Sequence, residues 1–366
     1  MLVNCQGLDL SEAFLRVSKA ISNKITNPIL EGIKIVAEDG TLTMSATDSE
    51  LSIEKKIKAD VKIEGETVVP GRFITEFVKK LTNSEIELSL NEKNQLVIKY
   101  EDSQSMIQCY NPIEYPGFKK IETNQYFGIT KKDFKTCVNK SIFAVATDDS
   151  RPILKGVLFD IDKNELSTVA LDGYRLARVK KNIVSNIKKS IVVPARSLSE
   201  ISKLIDDSDE MINIYIDTYT IMIDLGDTKV TSRLLEGDYI NYKQIIPMNY
   251  ETFVVISKEQ FEEALERATL LSKTSQNNFV KFDIKENNIC ITSNSDLGNI
   301  KENIPANVSG KDLVISFNPR YFLESLRVNT NEFVKICFNQ PSSPCVIVPT
   351  EEDEFLYLIL PVRVIG

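Results

Sequence analysis

The chain has 366 residues, 42% apolar and 26% charged, with a net charge of −8, which suits a globular protein of two or three domains. It has no histidine, so Ser-His-Asp and Cys-His catalysis and histidine metal sites are excluded. No apolar run reaches the ~20 residues of a membrane span, and the N-terminus lacks the layout of a signal peptide, so a cytoplasmic protein with no membrane partner is expected.

A first helix is expected over 9–24, where Leu10, Ala13, Phe14 and Val17 recur at helical spacing. Short strands follow at 32–37, 41–45 and 51–57, broken by turn residues such as Asp39-Gly40. A second helix is expected at 71–81, then strands at 86–90 and 95–100. The series then restarts. Phe134, Cys137, Val138 and Ser141 mark a helix over 131–143, another helix spans 195–205, and strands lie at 212–216 and 221–225. The third pass has a strand at 254–256, a helix over 258–273 carrying Phe261, Ala264, Leu265 and Ala268, a helix at 319–328 and a strand at 355–360.

The restarts share one period. Arg72, Arg196 and Arg320 are 124 residues apart, as are Glu76, Glu200 and Glu324, and Lys79, Lys203 and Arg327. Pro70, Pro194 and Pro319 stand where a helix start accepts proline. Asp48, Asp172 and Asp296 keep the period, and Tyr115 matches Tyr239. Repeats of this size mean structural units. Three are expected, over about 1–122, 123–248 and 249–366, each large enough for its own core. The absence of regular strand-helix-strand alternation makes the fold class α+β, three similar domains with antiparallel sheets and two helices each.

Residues seven apart on a helix nearly coincide in azimuth. Arg72 with Lys79, Arg196 with Lys203, and Arg320 with Arg327 therefore form basic ridges, opposite apolar faces that include Ile74, Phe77 and Leu81. The six expected helices sum to +7 and the rest of the chain to −15. Positive helices on an acidic protein point to contact with nucleic-acid phosphates, which positions without reading bases. The competing explanation is ion pairing on each helix surface, Arg to Glu and Glu to Lys.

Catalysis finds no support. The repeated aspartates read as turn or cap residues rather than an uneven acid-base pair. There is no phosphate-binding GxxxxGK[ST] loop and no GxSxG. The acidic stretches 206–210 and 351–354 read as solvated loops. The six cysteines, with no CxxC pair, read as isolated reduced thiols. No cofactor or metal is expected.

The segments NPILEGIKI (27–35), TDSELSIE (47–54), SRPILKGVLF (150–159), TVALDGYRLA (168–177), SRLLEGDYINYKQIIP (232–247) and LYLILPVR (356–363) resemble the bacterial DNA sliding clamp family along the whole chain. The resemblance implies helices inside and sheets outside, and two chains closed head to tail into a ring around double-stranded DNA. It implies a non-enzymatic tether for the replicative polymerase. Lys24 and Arg72 match the family's DNA contacts. Other such positions hold Asp148, Pro152 and Ile153. The repeat adds Arg196, and the ridges add Lys79 and Lys203. The homodimer contact matches Leu270 and Leu271, with Met106 and Ile107 opposite. A pocket for a short linear motif matches Leu154, Leu171, Gly173, Tyr174, Arg175, Leu176, Ile240, Gln244, Ile245, Pro344, Leu358, Ile359, Leu360, Pro361, Val362 and Arg363. Its implied partners are the polymerase III alpha subunit, the clamp loader, other polymerases and repair proteins. The sequence has Leu171 and Tyr174 where the family commonly has threonine and histidine, Ile240 in place of a proline, and a tail continuing past Arg363 to Gly366, which makes the pocket more apolar. A non-encircling repeat scaffold for peptides is the alternative, and a hydrolase built on the repeated aspartates a third reading.

Overall fold

Short alternating apolar runs separated by turn residues give strands that bury one face. In the computed structural model, which describes residues 1–21, 27–117, 124–185, 187–272, 278–350 and 354–363, every strand pairing between named strands is antiparallel. Among the described residues the α-helices are α1 (Gly7–Val17), α2 (Gly71–Val78), α3 (Lys131–Asn139), α4 (Ala195–Leu204), α5 (Lys258–Ser272) and α6 (Pro319–Arg327). The apolar stripes expected on α1, α3 and α5 are the buried ones. Leu10, Ala13, Phe14 and Val17, with their counterparts from Phe134 to Ser141 and from Phe261 to Ala268, are each at most 1% exposed.

Three local expectations are corrected. The first helix ends at Val17 rather than 24, where the chain tightens into a 3-10 turn, Ser18–Ala20. The buried stripe of α2 is Gly71, Ile74, Thr75 and Val78, while Phe77 is half-buried against Phe73 and Tyr100. Only Pro319 occupies a first helical turn, behind an Asn318 cap that accepts from Arg320 N. Pro70 and Pro194 end strands instead. Gly7 is required where α1 begins, since a Cβ there would meet the Leu81 carbonyl oxygen at 1.9 Å.

Two compact units emerge, Met1–Lys131 with Glu200–Leu234, and Lys132–Ser199 with Leu235–Gly366. In the first, strand Leu51–Lys58 pairs with Thr228–Arg233, which carries an eight-stranded sheet from the first repeat into the second. In the other unit, Arg175–Asn182, 124 residues further on, pairs with Phe355–Ile359 within a 12-stranded sheet. The units cut across the repeats because ladder hydrogen bonds run through these joints.

Two counterparts of these joint strands keep a free edge among the described residues. Gly298–Gly310 pairs with Asn288–Ser295, and reaches Thr252–Ser257 only through its last residues, 306–310. Ser103–Gln108 closes a five-stranded sheet and pairs only with Gln95–Tyr100.

In the first unit α1 and α2 pack together over the sheets, burying Leu10, Phe14, Ile53, Ile74 and Val78. In the second, α5 and α6 enclose Phe261, Phe282, Phe317 and Phe322, whose ring centroids lie 5.1–5.8 Å apart. Truncating one such ring to alanine typically costs about 3–5 kcal/mol.

Candidate functional site

The basic ridges have their bases buried and their heads out. Arg72, Arg196, Lys203 and Arg320 are exposed, and Lys79 is half-exposed. Each ridge is partly self-neutralised, as the ion-pair reading expects. Lys79 Nζ lies 2.5 Å from Glu76, Lys203 Nζ 2.7 Å from Glu200, and Arg320 Nε 2.6 Å from Glu324. Exposed pairs of this kind contribute at most about 1 kcal/mol, so a phosphate competes readily for the same cations. Arg16 Nη1 donates to the Leu204 carbonyl at 3.2 Å, satisfying the C-terminal end of α4. Lys24 lies outside the described residues.

The charge of α3 is different. Lys131 Nζ bonds Asp206 at 3.1 Å and Glu210 at 2.5 Å, and these carboxylates hold its pKa above the ordinary lysine value. Lys140 is buried, 3.7 Å from Glu354 and over the Phe355 ring. Two of the cations counted on this helix therefore serve the fold. The acidic stretch beginning at Asp206 is the partner of Lys131 rather than a purely solvated loop.

Leu154, Leu171, Leu176 and Leu358 meet in one buried cluster with Val346 and Tyr242, and Ile153 and Ile240 pack on it half-buried. Strand register brings them together, Leu171 facing Leu176 and Leu176 facing Leu358. The rim is exposed. Tyr174 is 62%, Ile245 37% and Leu360 36% exposed, and Gln244 and Arg363 are exposed too. Gly173 turns with φ +92°, open to the surface. Leu360 N donates to the Tyr174 carbonyl and Val362 N to the Ser316 carbonyl, both at 2.8 Å, so the C-terminal segment is tied down beside the cluster. Pro344 and Pro361 are half-buried.

Two residues assigned to this pocket lie elsewhere. Strand side chains alternate between faces, so Ile359, next to Leu358, is buried on the opposite face. Arg175 is 7% exposed and already bonded. Its Nε donates to Asp172 at 3.0 Å, its Nη2 to the Phe143 carbonyl at 2.6 Å, and its Nη1 to Glu324. Its guanidinium also lies over the Tyr321 ring at 4.9 Å. Burial raises the pKa of Glu324, but hydrogen bonds from Arg320 and Arg175 outweigh it and hold the carboxyl below its ordinary value. Ile153 and Pro152 likewise do not suit DNA contact. Ile153 packs on the apolar cluster, and Pro152 begins a 3-10 turn and has no N–H to offer a phosphate. The partners of Arg175, Phe143, Tyr321 and Glu324, were missed by sequence reasoning, since contacts across 32 and 149 residues leave no spacing signal.

Asp48 accepts from the backbone N–H of Glu50 and Leu51, and Asp172 from those of Tyr174 and Arg175. These are turn-forming carboxylates. All six cysteines are free and buried, and burial pushes the Cys5 and Cys137 thiols up to about 12. Among the described residues no His, Cys, Asp and Glu grouping fits a metal, and no helix is long and apolar enough to cross a membrane.

At the implied subunit contact, Ile107 faces the buried side of its edge strand and Met106 faces out. Leu270 is 69% exposed on the last turn of α5, with Leu271 half-buried beside it.

Comparison with known proteins gives one consistent answer. Residues 1–119, 128–241 and 243–363 match the N-terminal, central and C-terminal domains of the DNA polymerase III beta subunit. The chain is 35% identical over 356 residues to a beta sliding clamp of Staphylococcus epidermidis, covering 94% of each, and 34% identical over 357 residues to that of Staphylococcus aureus, again with 94% of each covered. The crystal structure of the DNA polymerase sliding clamp from Bacillus subtilis superposes with a TM-score of 0.96 at 32% identity, with all of both chains covered.

Proposed function

This chain belongs to the DNA polymerase III beta-subunit family and is a DNA sliding clamp, a non-catalytic processivity factor of DNA replication, and on that premise we propose which of its surfaces close the ring, face DNA and receive partners. The domain bounds are about 1–122, 123–248 and 249–366, supported by the spans of the three family matches.

The observation that carries the ring is the pair of free strand edges. Each joint within the chain pairs a strand of one repeat with a strand of the next. The third copy of the first joint strand, within Gly298–Gly310, and the first copy of the second, Ser103–Gln108, lack that neighbour. An unpaired edge is a template for another chain. Ser103–Gln108 of one chain pairs with the 298–304 stretch of its partner, and two such heterologous contacts close six repeats into a circle. Ile107, Leu270 and Leu271 supply the apolar part of this contact.

Inside the ring, Lys24, Arg72, Lys79, Arg196 and Lys203 contact phosphates without reading sequence. At the second joint, a short linear motif of a partner lays apolar side chains over Leu154, Leu171, Leu176 and Leu358, between Ile240, Ile245, Leu360 and Tyr174. Polymerase III alpha subunit, clamp loader, other polymerases and repair proteins share this pocket, in the cytoplasm.

The test is loading by a clamp loader with ATP onto nicked circular DNA, followed by gel filtration in high salt before and after a single cut. Retention on circles and loss after cutting is the expected result. Equal stripping from both forms would favour a non-encircling scaffold.

A further inference from the structure

The first helix of each repeat buries the same stripe but turns a different face away from it. Opposite Phe261, Ala264, Leu265 and Ala268, α5 presents Glu259, Glu262, Glu263 and Glu266. The same four places hold Lys132, Lys135, Thr136 and Asn139 in α3, and Leu8, Ser11, Glu12 and Leu15 in α1. The face therefore carries −4 in the third repeat, +2 in the second and −1 in the first. Summed over both expected helical segments, the repeats carry +3, +4 and 0 in chain order.

The cations beside the acidic face are already engaged. Arg327, the last residue of the third basic ridge, has Nη2 3.0 Å from Glu266 and Nε 3.8 Å from Glu262. Lys258 Nζ is 3.4 Å from Glu262. Arg267 donates to Glu302 from Nε at 2.9 Å, with its Nη1 3.6 Å from Glu263. These three cations meet five carboxylates, so the face stays negative. The glutamates are spread along α5 rather than converging, and among the described residues no grouping fits a metal. In α3, by contrast, Lys132 is exposed and Lys135 half-exposed. At 0.1 M salt, exposed charges are largely screened beyond about 10 Å. Each face thus acts on the phosphates that pass it, and the positive surplus of the other repeats does not offset α5.

We propose that the duplex inside the ring lies against the second repeats, along α3 and α4, and is held away from the third by Glu259, Glu262, Glu263 and Glu266. Lys132 and Lys135 join the phosphate contacts, and Arg327 does not. That DNA meets these faces at all rests on reading the helices as the surface toward DNA. Which repeat it meets rests on the residues at these four places alone.

The experiment places a benzophenone maleimide on the full-length protein at Thr136→Cys or Glu263→Cys, which share one helical place; the native cysteines are buried. Each labelled protein is loaded onto nicked circular DNA by a clamp loader with ATP and irradiated. Thr136→Cys is expected to crosslink DNA at least about fivefold more than Glu263→Cys. Equal yields, or a higher yield at 263, overturn the proposal. No crosslink from either, with both proteins retained on the circles, would mean that the helices do not meet DNA, and the premise fails with it. Salt dependence of binding to short DNA blocked at both ends tests the residues themselves. Glu259→Gln, Glu262→Gln, Glu263→Gln and Glu266→Gln together should steepen the slope of log affinity against log salt by at least about 0.9, as Arg327 becomes available to a phosphate. Lys132→Ala with Lys135→Ala should flatten it by at least about 0.9. An unchanged slope for the glutamine variant overturns the repulsion by α5, and one for the alanine variant overturns the contact at α3. Retention of each variant on circles until they are cut establishes that it folds and closes.

Discussion

Arg175 shows how far a residue's role depends on what surrounds it. On the chain it is one letter of a pocket-like segment. In the fold its side chain is 6% exposed and holds Asp172 and Glu324, which are 15% and 22% exposed. Removing one partner of such a buried set leaves charge without compensation, typically costing about 3–5 kcal/mol. Arg175→Ala is therefore expected to lower the urea midpoint well below that of a surface substitution such as Lys188→Ala. The same cluster sets a pH dependence. The folded pKa of Glu324 is depressed below its ordinary 4.5. Its contribution is thus fully present above pH 4.5 and is lost as pH falls through the folded value. Wild type should exceed Glu324→Gln in stability at pH 7, and the gap should narrow on acidification below 4.5. A constant gap in denaturation midpoints across that range would refute the linkage.

At the scale of elements, the edge strands and the end of α5 matter most. Leu270 is on the surface of the chain, so changing it does not disturb a core. Leu270→Glu is expected to leave the melting profile of the chain intact while weakening self-association at least about tenfold, because a charge is then desolvated against apolar groups. Sedimentation velocity over a dilution series reads this directly, and an unchanged dimer would remove Leu270 from the interface. The helices differ among themselves in the same way. Lys79 and Lys203 sit on exposed ridges and pair with Glu76 and Glu200 three residues away, whereas Lys131 at the start of α3 and Lys140 just past its end are tied to carboxylates distant in sequence.

For the whole molecule, net charge misleads. At −8 the chain is acidic, yet its six expected helical segments carry +7. A ring with those helices toward DNA attracts phosphate within and repels it without. Removing one cation that neutralises a phosphate should lower the slope of log affinity against log salt by about 0.9. Arg72→Ala with Arg196→Ala is expected to reduce that slope for the loaded ring, measured by fluorescence on short DNA blocked at both ends. Lys131→Ala is expected to leave it unchanged, since that lysine belongs to Asp206 and Glu210. Equal effects from the two variants would mean that the ridges are not the surface that meets DNA.

The sequence by itself determined the threefold repeat, the order of elements and the buried stripes of the helices, because periods of 3.6 and 2 are local properties of the chain. The stripe from Phe261 to Ala268 and the alternation in Leu51–Lys58 needed no partner to be read. Helix ends were less legible, since at Ser18 α1 tightens into a 3-10 turn that no period of the sequence marks. Tertiary structure alone decided which groups meet. It turned Ile359 away from Leu358, gave Glu324 to Arg175 across 149 residues, and paired Lys131 with Asp206 and Glu210. It also decided which strand edges remain open. Each of these depends on segments far apart in the chain arriving at one place, and neither composition nor spacing encodes that arrival.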